Sequence, residues 1–213
     1  YYLNVTADHF YPFSLPFPSA MADVRYASHP NSNVSKYIGD KIKIESYDGE
    51  ARGKGETTTT NYWHPLTASD TIFPGIGYIV SAVRLKGEQY ASLRFTMVVD
   101  DAWTTAGEQA VITREDKTVT KNTVAVGAWG VGGEHPAAWY NQGWNYIANP
   151  YMASISGYDN ASHLQLQNGT SVRYATIPSS IVDDYDQLPI ASATLQPFYG
   201  FFVQVGESGT IAF

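Results

Sequence analysis

Apolar and β-branched residues alternate with polar ones in short runs, and turn-forming residues separate the runs. The pattern predicts strands over His9 to Leu15, Lys41 to Tyr47, Gly77 to Leu85, Tyr90 to Val99, Ala110 to Thr113, Thr118 to Ala128, Trp144 to Ala148, Ser171 to Ile177, Gly200 to Val205 and Gly209 to Phe213. Lys86-Gly-Glu-Gln89, Glu115-Asp-Lys117 and Gly206-Glu-Ser-Gly209 are suited to turning hairpins between neighbouring runs. No amphipathic window exceeds two helical turns, and single turns are expected at Ser19 to Val24 and Ser179 to Asp186. Ser28 to Ser35 and Gly49 to Thr60, the latter with four consecutive Thr, read as exposed polar connections. The fold class that follows is all-β.

The runs also repeat. Phe10-Tyr-Pro-Phe-Ser-Leu-Pro-Phe17 lines up with Trp144-Asn-Tyr-Ile-Ala-Asn-Pro-Tyr151. Each is an aromatic-led strand that leaves through Pro, which cannot donate to a ladder. Small residues with a Met follow, Ser19-Ala-Met21 in one and Met152-Ala-Ser154 in the other. Phe73-Pro-Gly-Ile-Gly-Tyr-Ile-Val80 likewise lines up with Gln196-Pro-Phe-Tyr-Gly-Phe-Phe-Val203, where Gly before large side chains suits a close approach of backbones. Two such halves would pack face to face around a shared core. The expected architecture is a single β-sandwich-like domain over 1–213 with two pseudo-repeated halves, 9–97 and 143–213, joined by connecting strands in 98–142.

At these residues the chain resembles a known group. Trp144 to Tyr151 is similar to the "GWNLIGNPY" segment of secreted and cell-surface proteins of the Bacteroidetes. Gln196-Pro-Phe-Tyr-Gly-Phe-Phe-Val-Gln204 resembles the "PFQGFFVQ" segment that follows it there, and Phe13-Ser-Leu-Pro-Phe17 the "SLPF" opening of an upstream half. The resemblance covers both halves but not the middle. It implies β-architecture, an extracellular or cell-surface location in a bacterium, and membership of a larger polypeptide. It implies no reaction.

Composition narrows the function further. Only 15% of the 213 residues are charged, while 14% are aromatic, including 16 Tyr. Uncharged polar side chains therefore cover the outer faces, as in many secreted β-proteins. The net charge of −7 and the lack of a basic stripe argue against nucleic acid and against an anionic membrane surface. With no cysteine there is no disulfide framework, no Cys–zinc site and no thiol nucleophile. No apolar run approaches the roughly 18 residues of a membrane span. The first residues do not form a signal peptide and the chain opens in mid-pattern, so a fragment of a longer polypeptide is expected.

Candidate chemistry is sparse. The five histidines form neither HxH nor HExxH, and no Ser lies in a GxSxG elbow. Gly127, Gly130, Gly132 and Gly133 lack the Lys-Ser/Thr of a phosphate loop. Asp183, Asp184 and Asp186, with Asp159 or Asn160, offer oxygen ligands for Ca²⁺ without EF-hand spacing, and a solvated loop is the plainer reading. No other cofactor is indicated. Trp129, Trp139, Tyr140 and Asn141 cluster ahead of Trp144, with His135 and Gln142 nearby. Indole faces stack on sugars and amides bond hydroxyls, so this stretch is the candidate ligand site. Trp144, on the repeated strand, is expected in the core, whereas the Gly and Pro flanks of Trp129 and Trp139 suit either exposure or packing. Tyr62, Trp63 and His64 form a looser set of the same kind. The expected function is a non-catalytic binding or structural module, adhesin-like or an assembly component, meeting a glycan or protein ligand. The alternatives are a carbohydrate-binding module and an accessory domain of a polysaccharide-active hydrolase.

Overall fold

A computed structural model of the chain describes residues 1–5, 9–29, 37–53, 62–97, 124–126, 144–156, 173–175, 188–189, 194–204 and 209–211. The fold is all-β. The strands are β1 (Tyr2–Val5), β2 (Tyr11–Phe13), β3 (Ser19–Ala20), β4 (Arg25–Tyr26), β5 (Ile42–Tyr47), β6 (Trp63–Pro65), β7 (Thr71–Ile72), β8 (Tyr78–Ala82) and β9 (Ala91–Arg94), then β10 (Val124–Val126), β11 (Trp144–Ala148), β12 (Ile155–Ser156), β13 (Arg173–Ala175), β14 (Leu188–Pro189), β15 (Thr194–Leu195), β16 (Gly200–Gln204) and β17 (Gly209–Ile211). Among the described residues the helical elements are a 3₁₀ turn at Met21–Asp23, inside the expected Ser19 to Val24, and the short α1 (Gly49–Gly53), at the start of a stretch expected as loop. No helix among them is long and apolar enough to cross a membrane.

In the first half, β2, β8, β5 and β6 form an antiparallel sheet in that order. Pro12 sits on β2, an edge strand, where a missing N–H costs no ladder bond. One face of this sheet presents Phe13, Ile42, Ile44, Tyr78, Val80 and Ala82 to Val5, Tyr26, Ala91 and Leu93 of a second sheet, β1-β9-β4, and all of these are buried. The other face carries Ile79, which is also buried. Strand β8 is thus covered on both sides, which is why Tyr78-Ile-Val80 reads as an unbroken apolar run rather than an alternation.

The expected hairpins are corrected here. Lys86 to Gln89 does turn, with the Glu88 N–H donating to the Leu85 carbonyl at 3.1 Å. Yet β8 does not pair with β9. Both edges of β8 are taken, by β2 and β5, so the chain crosses to the neighbouring sheet and β9 pairs with β1 and β4. Strand β16 is likewise enclosed by β11 and β13, and β17 pairs with β10 instead. The third proposed turn, at Glu115 to Lys117, lies outside the described residues, as do the run Ala110 to Thr113 and the turn expected at Ser179 to Asp186.

The second half lays down β11, β16, β13 and β14 in the same order as β2, β8, β5 and β6. Register agrees as well. Tyr11, Pro12 and Phe13 face Val80, Ile79 and Tyr78, while Asn145, Tyr146 and Ile147 face Val203, Phe202 and Phe201. Two-residue ladders, β3 with β7 and β12 with β15, close each half at the same place. The halves are joined by a crossed pair of backbone bonds. The Ala148 N–H donates to the Gly75 carbonyl at 3.0 Å, and the Ser14 N–H to the Phe198 carbonyl at 3.2 Å. Gly75 (φ 81°) and Phe198 (φ 65°), the two residues that accept these bonds, both have left-handed backbones. For Phe198 that conformation costs about 1–2 kcal/mol. Its ring stacks on Tyr1 with centroids 4.2 Å apart and planes 6° apart, a contact that offsets part of this cost.

A seam of rings fills the space between the halves. Ile79, Trp144, Tyr146 and Phe202 are buried there, with Tyr47 and Trp63 packed against them. Trp63 meets Tyr47 and Tyr146 edge-on at 5.1 Å and 5.6 Å, and Phe202 meets Tyr47 edge-on at 5.1 Å. Such contacts contribute about 0.5–1.5 kcal/mol each beyond the area they bury. Trp144 is therefore in the core, as expected. The Tyr146 ring lies across two glycines. A Cβ on Gly77 would stand 2.7 Å from its Cδ1, and one on Gly200 would stand 2.6 Å from its Cζ. Only glycine leaves room for the ring at either place.

Gly77→Ala and Gly200→Ala should each cost about 1–3 kcal/mol, the usual cost of overpacking, read as a lower midpoint in denaturant unfolding. Tyr146→Phe keeps the ring and removes a buried hydroxyl that has no hydrogen-bond partner among the described residues. Its midpoint should hold or rise, because an unsatisfied buried polar group destabilises.

Candidate functional site

One group of described residues that combines exposed polar groups with a ring surface lies beside Tyr47 and Trp63 of the seam. Strand β5 ends at Tyr47, and Asp48 turns the chain into α1. The Asp48 carboxylate accepts the Ala51 N–H at 2.9 Å, and the Asp48 N–H donates to the Tyr62 carbonyl at 2.7 Å, which anchors the entry to β6. The other carboxylate oxygen lies 3.2 Å from Nε2 of His64, with both side chains partly exposed. The Arg52 guanidinium sits 4.8 Å above the Tyr62 ring. Tyr62 in turn meets Tyr47 edge-on at 5.9 Å. The result is a rim with one partly exposed ring, a cation over it and an Asp–His pair beside it.

This rim divides the expected set of Tyr62, Trp63 and His64. Trp63 turns into the seam beside Tyr47, its cross-strand partner, and His64 stands opposite Ser46 on the other face of the sheet. The Ser46 hydroxyl lies 3.5 Å from the His64 carbonyl rather than at the ring, so Ser46, His64 and Asp48 do not form the linked chain a nucleophile relay needs. Planar rings with guanidinium, carboxylate and imidazole groups at their edge suit hydroxyl-rich ligands. Glu45, on the seam side of β5 with Tyr47, has its carboxyl raised by burial and lowered again in part by Lys43.

A second constellation is structural and was not singled out from the sequence. Asn149, fully buried, follows β11. Its Nδ2 donates to the carbonyls of Ala153 at 2.7 Å and Leu195 at 2.9 Å, and its Oδ1 accepts the Tyr151 N–H at 2.8 Å. One amide thus closes its own turn and ties it to β15. The Asn-Pro pair was the available signal, since Asn before Pro favours a side-chain-closed turn. The first half has Leu15 at the matching place, also fully buried.

The remaining candidates, Trp129, Trp139, Tyr140 and Asn141 for a ligand and Asp183, Asp184 and Asp186 for Ca²⁺, lie outside the described residues. Comparisons with protein-family models, curated proteins and solved structures find no match to the chain.

Asn149→Ala leaves two carbonyls and an N–H of the turn without their partner. It should cost about 2–4 kcal/mol, measured by denaturant unfolding, given about 1–3 kcal/mol for each buried group left unsatisfied and some relief from water.

The buried phenols set an alkaline limit. Tyr26, whose hydroxyl donates to the Val83 carbonyl at 2.8 Å, is pushed up to about 12, chiefly by removal from water and further by Tyr37, Glu88 and Asp40. Burial raises Tyr47 against the opposing charge of Arg52, and it raises Tyr78 and Tyr146 as well. A folded pKa above the unfolded value means the folded state holds its proton more tightly. The associated stability is complete below about pH 10, the ordinary phenol value, and is lost as pH rises through about 12. Thermal unfolding midpoints should be insensitive to tyrosine ionisation below about pH 10 and fall above it. A midpoint level through about pH 12 would contradict this assignment.

Proposed function

We propose that the chain is a non-catalytic binding or structural module, built by duplication of one β-unit and carried by a secreted or cell-surface bacterial protein. The observation that supports it is the match of strand order and register between the halves, with inner faces used up against one another in the seam. The likeness also extends along the sequence. Ala68-Ser-Asp-Thr-Ile-Phe-Pro-Gly-Ile-Gly-Tyr-Ile-Val80 and Ala191-Ser-Ala-Thr-Leu-Gln-Pro-Phe-Tyr-Gly-Phe-Phe-Val203 share Ala, Ser, Thr, Pro, Gly and Val at matching places. The residues that carry the resemblance to Bacteroidetes surface proteins serve architecture here. Asn149 ties a turn, Gly200 yields to the Tyr146 ring, and Trp144 and Phe202 fill the seam. A motif of that kind marks a scaffold, and function then rests on what the outer surface carries.

A second reading, carbohydrate binding or an accessory role beside a polysaccharide-active hydrolase, is favoured by the rim of Tyr62, Arg52, His64 and Asp48. Trp129, Trp139, Tyr140 and Asn141 are its further candidates, and Asp183, Asp184 and Asp186 would supply Ca²⁺ ligands to such a module.

Tryptophan fluorescence of the purified domain, titrated with a panel of soluble glycans, separates the two. The leading reading expects no saturable shift and no turnover of the same glycans. A saturable shift abolished by Trp139→Ala or Tyr62→Ala, with the unfolding midpoint unchanged, would replace it with the carbohydrate-binding reading. Turnover abolished by a single carboxylate or Ser substitution would overturn both.

A further inference from the structure

The two faces that meet in the seam differ in one decisive side chain. Tyr146 on β11 corresponds to Pro12 on β2, since each is the middle residue of its strand's pairing, with Phe202 and Ile79 respectively. Gly77 and Gly200 correspond in the same way, each just ahead of the Tyr-Ile-Val or Phe-Phe-Val triplet. The Tyr146 ring spans both glycines, its Cδ1 and Cε1 toward Gly77 and its Cζ and Oη toward Gly200. It therefore lies between two corresponding glycines, one from each half. Pro12 lies on the same face of its sheet as Ile79, which belongs to the seam. By the correspondence of the halves, a ring at position 12 would be directed from that face toward the Tyr146 slot.

From this we infer that Tyr146 is the pairing-specificity residue of the seam, whose slot between Gly77 and Gly200 holds one ring and so admits one half of each kind. The inference rests on the duplication proposed above. Two second-half faces would bring two Tyr146 rings into a slot already filled by one. Two first-half faces would bring two prolines and leave the slot empty. Either mismatch is disfavoured, the first by overpacking and the second by a cavity. The surface formed by Gly77, Ile79, Tyr47 and Trp63 thus has a defined partner, the second-half face of the same chain that bears Tyr146 and Phe202.

A double-mutant cycle on the intact chain tests this by denaturant unfolding. Pro12→Tyr in the native background adds a second ring and should lower the midpoint. Tyr146→Ala empties the slot and should lower it too. Pro12→Tyr made in the Tyr146→Ala background returns one ring to the slot from the opposite side, and should raise the midpoint above that of Tyr146→Ala alone. The sign of the Pro12→Tyr effect should therefore reverse between backgrounds. If Tyr146→Ala does not fold, Tyr146→Leu serves as the depleted background with the same expected reversal. A Pro12→Tyr effect that is destabilising by the same amount in both backgrounds would overturn the one-ring rule and leave the duplication standing. An effect absent from both would mean that position 12 does not reach the slot, and would overturn the rule together with the correspondence of the halves. Neither result bears on the glycan titration, which judges the functional reading separately.

Discussion

The contact between the halves depends on a close approach of backbone to backbone around Tyr146. Gly75 and Gly77 come near enough to β11 to exchange hydrogen bonds with Ala148 and Tyr146, and Ile76 bridges Ile147. That approach requires an absent side chain at Gly77, and the same ring requires one at Gly200. Once these conditions are met, the surrounding rings can meet edge-on rather than leave voids. Tyr47, Trp63, Trp144 and Phe202 then form one apolar layer that belongs to neither sheet alone. Substitutions at the glycines therefore act on the join between halves and not only on their own strands.

The halves also differ in how they solve the same local problem. After β11 the turn is held by the polar side chain of Asn149, which supplies three hydrogen bonds. After β2 the matching place holds Leu15, buried among apolar neighbours. Likewise a left-handed residue is needed ahead of both β8 and β16, and one half uses Gly while the other uses Phe198 and a ring stack on Tyr1. Polar satisfaction and apolar packing are interchangeable at this position because the Asn149 amide has its hydrogen bonds and the Leu15 side chain has none to make.

Much of this was legible in the sequence, and the reasons for the rest are specific. Strands β5, β11 and β16 stand out because they are five or six residues long, rich in aromatic or β-branched residues, and bounded by Gly and Pro. The two-residue strands β3, β4, β7, β12, β14 and β15 are too short to show a period of two. The strand pairing around the hairpins is not legible, because Lys86 to Gln89 is a sound local turn, while the information that β8 has no free edge resides in distant β2 and β5. The alignment of Gly77 with Gly200 was visible, but not the ring they share, which comes from a residue far along the chain. Of the expected ligand set only Tyr62, Trp63 and His64 fall within the described residues, and strand alternation sent Trp63 inward.

The asymmetry of the seam has a bearing on the order of synthesis. A chain made from its N-terminus completes β2, β5, β6 and β8 well before β11 and β16 exist. During that interval the inner face of the first half meets solvent. That face carries Pro12, Gly77 and Ile79, with Tyr47 and Trp63 meeting edge-on. Trp144, Tyr146 and Phe202 emerge only after every described first-half strand has been made. The face that lends the glycine gap at Gly77 comes first and the ring that fills it comes last, which shortens the time that the Tyr146 ring of a nascent chain goes uncovered.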